Sequence, residues 1–361
     1  MTIRIGILGG GGISETHARA AVTIPGVEIA AVCGLNREKA AALGARTGSA
    51  VYDDLSSFLS HRPMDIVAIG SPSGLHAEQA TAAVRHGLHV LVEKPLDINV
   101  ARIDALIEES ARAGVHVGVF FQDRLRPDVL RMKAIVDSGR LGTPVLASGR
   151  VKWHRPPEYY SHSRWRGTWD LDGGGALMNQ GIHTVDLLIW LFGPVARVVA
   201  RTATRLHRIE VEDTAAAILE FQNGALGILE AGTSIYPGYS RRVEITGSEG
   251  TLILEHDRLA AIDLRTADGT APGADGVGEA AVSSQSPVVG DATAHRRVME
   301  DFIRAVRAGS TPACDAREGR KSVEVVEAIY RAAREGGPVA VGTTPGRTGE
   351  PSTGDQEIRR P

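Results

Sequence analysis

The first third of the chain alternates short apolar runs with alanine-rich segments, and this alternation limits the fold more than any other feature. The apolar runs cover residues 3–8, 27–32, 64–70, 88–92 and 115–121. Helical patterns separate them, near residues 15–22, 37–47, 75–86 and 99–113. Continuous apolar runs of this length are typical of parallel strands that helices cover on both faces. The pattern predicts an N-terminal Rossmann-type α/β domain with a doubly wound parallel sheet.

The pattern changes after about residue 145. Residues 214–234 indicate a strand, a tight turn at Asn223-Gly224 and a second strand, because these two residues tolerate the positive φ of a hairpin turn. Residues 241–255 indicate a further pair of strands. Helical patterns near 173–192, 293–308 and 317–335 would pack on this antiparallel sheet. We therefore expect a Rossmann domain at 1–124 and an α+β domain at 125–340. The apolar-poor segment 341–361 is expected to be a disordered tail.

Composition excludes several classes of protein. The 361 residues are 43% hydrophobic and 23% charged, with a net charge of −3, which favours neither a nucleic acid nor a membrane as partner. No apolar run approaches the roughly 20 residues that span a bilayer. Two cysteines form neither a disulfide framework nor a zinc pattern, and no metal site is expected. We predict a soluble, reduced, cytoplasmic protein.

A glycine-rich turn follows the first strand and opens the first helix. Gly9, Gly11 and Ser14 have the spacing of a dinucleotide-binding fingerprint. Gly9 would permit the tight turn, Gly11 would let the backbone approach a pyrophosphate, and Ser14 would keep helix and strand close. Gly12 and Ile13 complete the predicted contact with the cofactor. A glycine-rich turn without a ligand is the alternative, and the strand–turn–helix context argues against it.

The end of the second strand bears on the choice of cofactor. Gly34 stands where an acidic residue would contact the ribose of NAD, and Asn36 and Arg37 follow it. Without that carboxylate a ribose phosphate would not be repelled, and Arg37 could pair with it. Arg37 could equally be a solvated residue of a helical first turn. The sequence predicts NAD or NADP and slightly favours NADP.

Polar residues follow the later strands of the predicted parallel sheet, where such sheets bind ligands. Cofactor contacts are expected from Ser71, Pro72, Ser73 and His76 after one strand, and from Glu93 and Lys94 after the next. Gln122 and Arg124 follow the last strand and are candidates for cofactor and substrate contact, respectively. A Lys-Pro pair at one strand end could also be an ordinary surface turn, so these residues matter in combination.

The segment LDGGGALMNQGIHTVDLLIWLF carries an unusual polar stripe on an otherwise apolar helix. Asn179, His183 and Asp186 are spaced by four and three residues, which places them on one helical face. A single histidine on such a face is more often a satisfied core residue. Together with the glycine fingerprint and Lys94, however, the stripe predicts an active-site face. Glycines 173–175 would let the start of the helix approach cofactor and substrate.

Residues 153–169 are rich in aromatic and basic side chains. The stretch holds five of the sixteen aromatic residues of the chain, with three arginines against Glu158 alone. Aromatic faces suit sugar rings and guanidinium groups suit carboxylates or phosphates, so Tyr160 and Trp165 are predicted to contact substrate and Arg166 the cofactor. An oligomer contact is the alternative, since the same residue types are enriched at interfaces.

These motifs, in this order, resemble the Gfo/Idh/MocA oxidoreductases. The resemblance is carried by GGGGIS, SPSGLH, EKPL, GVFFQDRLRP and GGGALMNQGIHTVDLL, and it extends from residue 3 to about 340. It implies a Rossmann domain followed by a domain with a large, open-faced, mostly antiparallel sheet. That sheet often joins subunits into homodimers or homotetramers. The family transfers a hydride between NAD(P) and a carbon of a sugar or polyol.

The resemblance also implies roles for three residues. Lys94 matches the active-site lysine of the family and His183 its acid/base histidine. The position four residues before the histidine is commonly Asp in the inositol-type branch, whereas Asn179 occupies it here, as in the branch resembling nucleotide-sugar uronate dehydrogenases. A carboxylate–histidine pair is therefore not expected at this position.

The chemistry of alcohol oxidation fits these assignments. His183 can take the hydroxyl proton, Lys94 can stabilise developing alkoxide charge, and Asn179 can orient the substrate or the lysine. Asp186 is expected to hold the helix or the imidazole tautomer. Two alternatives share the fold: a redox-neutral, NAD-dependent glycosidase, and a non-catalytic dinucleotide sensor. The basic loop favours an acidic or phosphorylated sugar as substrate.

Overall fold

The computed structural model describes residues 2–34, 36–265 and 292–342, which form two sheets with associated helices. The predicted tail at 341–361 lies almost entirely outside the described residues. Helices α9 and α10 lie near the end of the described chain, at Thr293–Ala308 and Ala316–Glu335. Within the described residues, no helix combines the length and apolar character needed to cross a membrane.

The first sheet is fully parallel, with the strand order β3-β2-β1-β4-β5-β6. Its strands are β1 Ile3–Leu8, β2 Val27–Cys33, β3 Ala50–Tyr52, β4 Ile66–Ile69, β5 His89–Val92 and β6 Val117–Val119. The helices between them are α1 Gly12–Ala21, α2 Arg37–Thr47, α3 Leu55–Ser60, α4 His76–Arg85 and α5 Val100–Ala113. The strand order reverses between β1 and β4, and this switch point opens a crevice at the carboxyl ends of these two strands. The predicted doubly wound sheet is confirmed.

The second sheet is large and mixed, in the order β13-β12-β11-β7-β10-β9-β8-β14. Among the described strands of this second sheet, only β7 and β10 pair in parallel, so the expectation of a mostly antiparallel sheet is confirmed. Its strands are β7 Pro144–Lys152, β8 Val195–Ala203, β9 Thr214–Phe221, β10 Leu226–Gly232, β11 Arg242–Gly247, β12 Gly250–Glu255, β13 Arg258–Leu264 and β14 Val339–Ala340. The associated helices are α6 Pro127–Asp137, α7 Glu158–Ser161 and α8 Ile182–Phe192.

The last two helices of the described chain, α9 and α10, connect the two halves of the protein. Although α9 follows β13 of the second sheet, it packs against α1, which covers the first sheet. Helix α10 contacts α5 and β6 on one side and α8 and β8 on the other. The division at residues 124 and 125 remains a prediction, and these helices cross it.

The segment predicted as one helix over 173–192 is in fact two helical geometries. Residues Ala176–Gly181 form a π-helical stretch, and the α-helix begins only at Ile182. Buried Glu212 anchors the start, because its carboxylate accepts the backbone N–H groups of Gly175 and Leu177 at 3.0 and 2.8 Å. Such wider turns often occur at functional sites.

A buried ion cluster docks α8 against the end of the first sheet. After β6 the chain makes a short 3₁₀ turn, from which Arg124 reaches Asp186 through two hydrogen bonds of 2.6 and 2.8 Å. The same guanidinium contacts Glu318 of α10 at 2.9 Å, and Ser322 also donates to Asp186. Arg124 is only 2% exposed. The prediction that Arg124 contacts substrate is therefore wrong: its donors hold three elements together.

We expect Arg124→Met to lower the free energy of unfolding by about 3–5 kcal/mol, because Asp186 would then be a buried charge without its main partner. The measurement is urea denaturation followed by circular dichroism. Replacing both partners, in Arg124→Met/Asp186→Leu, should recover much of the loss. A single variant within ~1 kcal/mol of wild type would contradict this account of the cluster.

Candidate active site

The carboxyl ends of β1, β4, β5 and β6 carry the candidate site. Four short segments follow these strands: the glycine turn, residues 71–73, residues 93–95 and the 3₁₀ turn after β6. The 153–172 segment of the other half approaches them, since the backbone N–H of Gly74 donates to Leu171 O at 2.8 Å. The π-helical stretch and α8 complete the cleft. Residues from both halves therefore surround one crevice.

The glycine turn has the geometry that a dinucleotide requires. Gly9 has φ +134°, and a Cβ there would lie 2.6 Å from Ser14 Oγ. A Cβ on Gly11 or Gly12 would meet nothing within 4 Å, so open space lies over the turn. Helix α1 has no side-chain cap at its N-terminus, which leaves first-turn N–H groups directed at that space. The turn thus fits the pyrophosphate of a dinucleotide.

The residues expected to contact the ribose also make contacts within the protein. A Cβ on Gly34 would lie 3.0 Å from Gly9 O, which explains the small residue there. Asn36 caps α2, because its side chain accepts the Lys39 N–H at 3.0 Å. Arg37 is exposed and lies 3.4 Å from Asp53. That carboxylate offsets the charge on which the preference for NADP was based.

Lys94 joins the two halves of the cleft. Its Nζ donates to the backbone carbonyl of Asn179 at 2.7 Å, which places the ammonium beside the π-helical stretch. Burial lowers the pKa of Lys94 from its ordinary value because the charged form loses hydration. The nearby Glu93 and Asp172 carboxylates oppose this effect, and Arg155 and Arg166 add to it.

Glu93 holds the backbone beneath Lys94. Its Oε1 accepts from His17 Nε2 at 3.0 Å and from His295 Nε2 at 3.2 Å, and all three side chains are buried. These atoms lie within 4.8 Å of one another, close enough to hold a metal ion, but the two hydrogen bonds already account for the arrangement. The carboxylate of Glu93 points into this cluster and so does not make the predicted contact with the cofactor.

His76 is also part of the framework. Its Nδ1 lies 2.7 Å from Pro95 O and its Nε2 lies 2.9 Å from Ser71 O, and the ring is 1% exposed. The imidazole thus ties the segment after β4 to the segment after β5. The predicted contact between His76 and the cofactor is wrong for this reason. Ser71 and Pro72 remain at the crevice as partly exposed residues, and Ser73 is buried.

The Asn179 side chain contacts a carboxylate that the sequence analysis did not identify. Its Nδ2 donates to Asp172 Oδ1, and its Oδ1 accepts from Gln180 Nε2 at 2.9 Å. Asp172 also accepts the Gly167 N–H at 2.8 Å, and burial raises its pKa to about 6. The lysine is therefore oriented by the backbone of Asn179, and the amide group orients Asp172.

His183 faces the same strand ends as Lys94. Its side chain is 12% exposed, and its Nδ1 lies 3.6 Å from Asp123 Oδ2. Burial is the main cause that lowers the pKa of the imidazole to about 3; the Asp123 charge opposes this shift and the Lys94 charge adds to it. The residue is thus neutral near pH 7, as a proton acceptor must be. Asp186 lies one turn further along α8 and holds Arg124, so it supports the helix.

The aromatic loop brings a second set of side chains to Lys94. Arg166 stacks on the rings of Tyr159 and Trp165, at 4.5 and 5.1 Å from their centroids. Tyr159 Oη accepts from Gln180 Nε2 at 2.8 Å, although the sequence analysis did not select it. Tyr160 instead is buried and donates to Thr233 Oγ1 at 2.9 Å. The predicted substrate contact of Tyr160 is wrong, because its hydroxyl belongs to the packing beneath the loop.

Two further expectations differ in outcome. Gln122 is half-buried, and its Oε1 is buried without a hydrogen-bond partner in the described structure, so its predicted ligand contact stays a prediction.

The three glycines before the π-helical stretch serve protein packing. A Cβ on Gly174 would lie 2.0 Å from Tyr330 Oη, and one on Gly175 would lie 1.9 Å from Glu212 O. Protein atoms crowd these glycines, whereas approach to cofactor and substrate had been expected.

Comparison with known proteins matches this architecture over most of the chain. Residues 3–121 match the model of the oxidoreductase family with an NAD-binding Rossmann fold, and residues 129–253 match the GFO/IDH/MocA C-terminal domain. D-apiose dehydrogenase of Paraburkholderia graminis is 27% identical over 343 residues, which cover 91% of this chain and 87% of that protein. Inositol 2-dehydrogenase 3 of Saccharopolyspora erythraea is 30% identical over 259 residues, covering 70% and 73%.

A solved structure gives a similar result. The WlbA dehydrogenase from Bordetella pertussis, in complex with NADH and UDP-GlcNAcA, has a TM-score of 0.83 and 33% sequence identity. The match covers 95% of this chain and 100% of the other. The chain therefore belongs to the Gfo/Idh/MocA family of oxidoreductases and carries its NAD-binding Rossmann domain.

Proposed function

We propose that this enzyme transfers a hydride between a nicotinamide dinucleotide and a secondary alcohol or ketone carbon of an acidic sugar derivative. The observation that carries the proposal is the convergence of Lys94, after the end of β5, and His183, at the start of α8, beside the glycine turn. Bound in that turn, the dinucleotide would supply the hydride acceptor. The residues of the chain would handle the proton and the charge.

The proton step assigns one role to each residue. The neutral imidazole of His183 takes the hydroxyl proton during oxidation and returns it during reduction. The ammonium of Lys94, held by the Asn179 carbonyl, stabilises negative charge on the substrate oxygen in a cleft with little water. The amide group of Asn179 holds Asp172 and contributes no proton.

Lys94→Ala and His183→Ala should each lower kcat by about 10²–10⁴-fold on any substrate that the wild-type protein oxidises. Dinucleotide affinity should change little, because the glycine turn would hold the pyrophosphate. The absorbance of reduced nicotinamide measures turnover, and fluorescence titration measures the affinity for the dinucleotide.

His86→Ala is the matched control, since His86 is an exposed histidine at the far end of α4. It should retain wild-type turnover. If either active-site variant turned over normally, or if both lost cofactor affinity to the same extent as activity, the role assignment would be untenable.

The charge of the cleft supports an acidic substrate. Arg155 and Arg166 lie close enough to Lys94 for their charges to lower its pKa. Of the two carboxylates that oppose them, Glu93 accepts from two histidines and Asp172 accepts from Asn179 and Gly167. Arg166 has a buried Nε without a hydrogen-bond partner and, in the described chain, no carboxylate within 4.0 Å. A carboxylate or phosphate on the sugar would neutralise this surplus of positive charge. We therefore propose a substrate contact for Arg166, which the sequence had assigned to the cofactor. The similar WlbA structure, which contains UDP-GlcNAcA, is consistent with this proposal.

Arg166→Gln should raise KM for sugar acids about 10- to 100-fold more than for neutral sugars, because it removes a charge-assisted hydrogen bond. Steady-state kinetics on paired acidic and neutral substrates measures the difference. Arg164→Gln, an exposed arginine two positions away in the same loop, should leave the ratio unchanged. Equal losses on both substrate types in Arg166→Gln would contradict an acidic substrate.

We further propose NAD as the preferred cofactor. The expectation of NADP depended on Arg37, and the Asp53 carboxylate lies 3.4 Å from that guanidinium. A ribose phosphate beside this pair would meet a negative charge as well as a positive one. The similar WlbA structure contains NADH, whereas another relative is a D-xylose 1-dehydrogenase named for NADP(+).

The open face of the second sheet supports self-association. Val199, Ile218 and Ile228 are cross-strand neighbours on β8, β9 and β10, with exposures of 38%, 53% and 45%. The adjacent pair Leu226 and Leu146 extends this apolar row across β7. A contiguous apolar sheet face of this kind marks a protein interface. We propose a homodimer or homotetramer formed through it.

Ile218→Lys should reduce the assembly to smaller species at low micromolar concentration, because it places a charge at the centre of the apolar row. Sedimentation velocity measures the mass. Val22→Lys changes an equally exposed apolar residue at the end of α1, and this variant should keep the wild-type mass. A monomeric wild-type protein would refute the proposed interface.

A further inference from the structure

Among the described residues, Asp123 is the only acidic residue whose carboxylate lies within 4.0 Å of the His183 imidazole. The carboxylate comes from the 3₁₀ turn after β6, whereas the histidine comes from the start of α8. The oxygen–nitrogen separation of 3.6 Å is too long for a hydrogen bond. Such contacts in ligand-free active sites often shorten once substrate is bound.

The Asp123 carboxylate is fixed in place by two arginines. Its Oδ1 accepts from Arg126 Nε at 2.8 Å, and its Oδ2 accepts from Arg241 Nη1 at 2.5 Å. Both arginines also contact Asp257, at the turn between β12 and β13. These contacts hold the pKa of Asp123 well below its usual range, with the charge of Arg241 the strongest of the lowering influences. The carboxylate is therefore ionised and has little freedom to rotate.

The surroundings of His183 make this carboxylate important. The charges that influence the pKa of the imidazole are those of Asp123, Lys94, Arg241 and Glu93, in order of decreasing influence. The ring also lies edge-to-face with Phe121, with 5.8 Å between the ring centroids. Lys94 and Arg241 oppose a second positive charge, as burial does. Without Asp123, a proton taken from the substrate would have no adjacent counter-charge.

We propose that Asp123 is the positioning residue of His183, holding the N–H on Nδ1 so that the Nε2 lone pair is free for the substrate proton. The same carboxylate stabilises the imidazolium that forms when His183 takes that proton. Position 179 offers no carboxylate to His183, because it is occupied by Asn179, whose amide contacts Asp172. Asp123, in the turn after β6, would supply that carboxylate instead. The inference rests on the proposed acid/base role of His183.

The test compares Asp123→Asn with Asp257→Asn in full-length protein. Both changes remove one carboxylate from the same ion cluster, and asparagine suits the left-handed backbone of Asp257, at φ 61°. Asp123→Asn should lower kcat about 10- to 100-fold with KM and cofactor affinity nearly unchanged. In the oxidation direction the acidic limb of the pH profile of kcat should move to lower pH, because the imidazolium has lost its counter-charge. Asp257→Asn should leave that limb in place.

Equal losses in both variants, with neither limb displaced, would show that Asp123 serves the fold alone and would overturn the proposal. Wild-type kinetics in Asp123→Asn would overturn it as well. His183→Ala is measured in the same assay, so that a failure of the proposed function can be distinguished from a failure of the role of Asp123. Full turnover in His183→Ala refutes the proposed function, whereas an inactive His183→Ala with an unaffected Asp123→Asn refutes only the role of Asp123.

Neutron diffraction on wild-type crystals gives a readout that does not depend on whether a variant folds. The proposal expects deuterium on His183 Nδ1, directed at Asp123. Deuterium on Nε2 alone would overturn the proposal, because the lone pair would then face the carboxylate.

Discussion

The docking of α8 against the short turn after β6 is the constraint on which the rest of the structure depends. Adjacent residues of that turn perform different tasks: Arg124 pairs with Asp186 in the core, and Asp123 faces His183. Because Asp186 and His183 are three residues apart on one helix, a single contact surface fixes both. A buried charge pair of this kind adds little net stability but allows few alternative arrangements. The histidine is thereby held over the crevice of a sheet to which it does not belong.

The site contains few free polar groups, because most of the polar residues near the strand ends bind one another. Glu93 accepts from two histidines, His76 contacts two backbone carbonyls, and Glu212 caps the π-helical stretch. These buried contacts keep the backbone around Lys94 in one conformation. Rigid support of this kind lets a lysine and an imidazole act on a substrate without first reorganising.

Much of the fold could be predicted from the sequence, because buried parallel strands and amphipathic helices leave local patterns. The bounds of β1 and α2 agree with the prediction, whereas the three residues of β3 are too short for a periodic signal. Lys94 and His183 could be selected because each lies in a distinctive local motif. Asp123 and Asp172 could not, since their roles depend on contacts between residues distant in the chain. Arg124, Tyr160, Glu93 and His76 were misassigned for the same reason: sequence places a polar residue near a site but does not show where its side chain points.

The central claim is net hydride transfer from a sugar to a nicotinamide dinucleotide. The most direct measurement is the absorbance of reduced nicotinamide when wild-type protein meets uronic acids, sugar phosphates, neutral sugars, polyols and glycosides, with NAD and NADP in parallel. The account predicts net reduction of NAD, fastest with an acidic sugar. Release of an aglycone without net reduction would indicate a redox-neutral glycosidase and contradict the account. Dinucleotide binding without turnover of any substrate would contradict it in favour of a sensor.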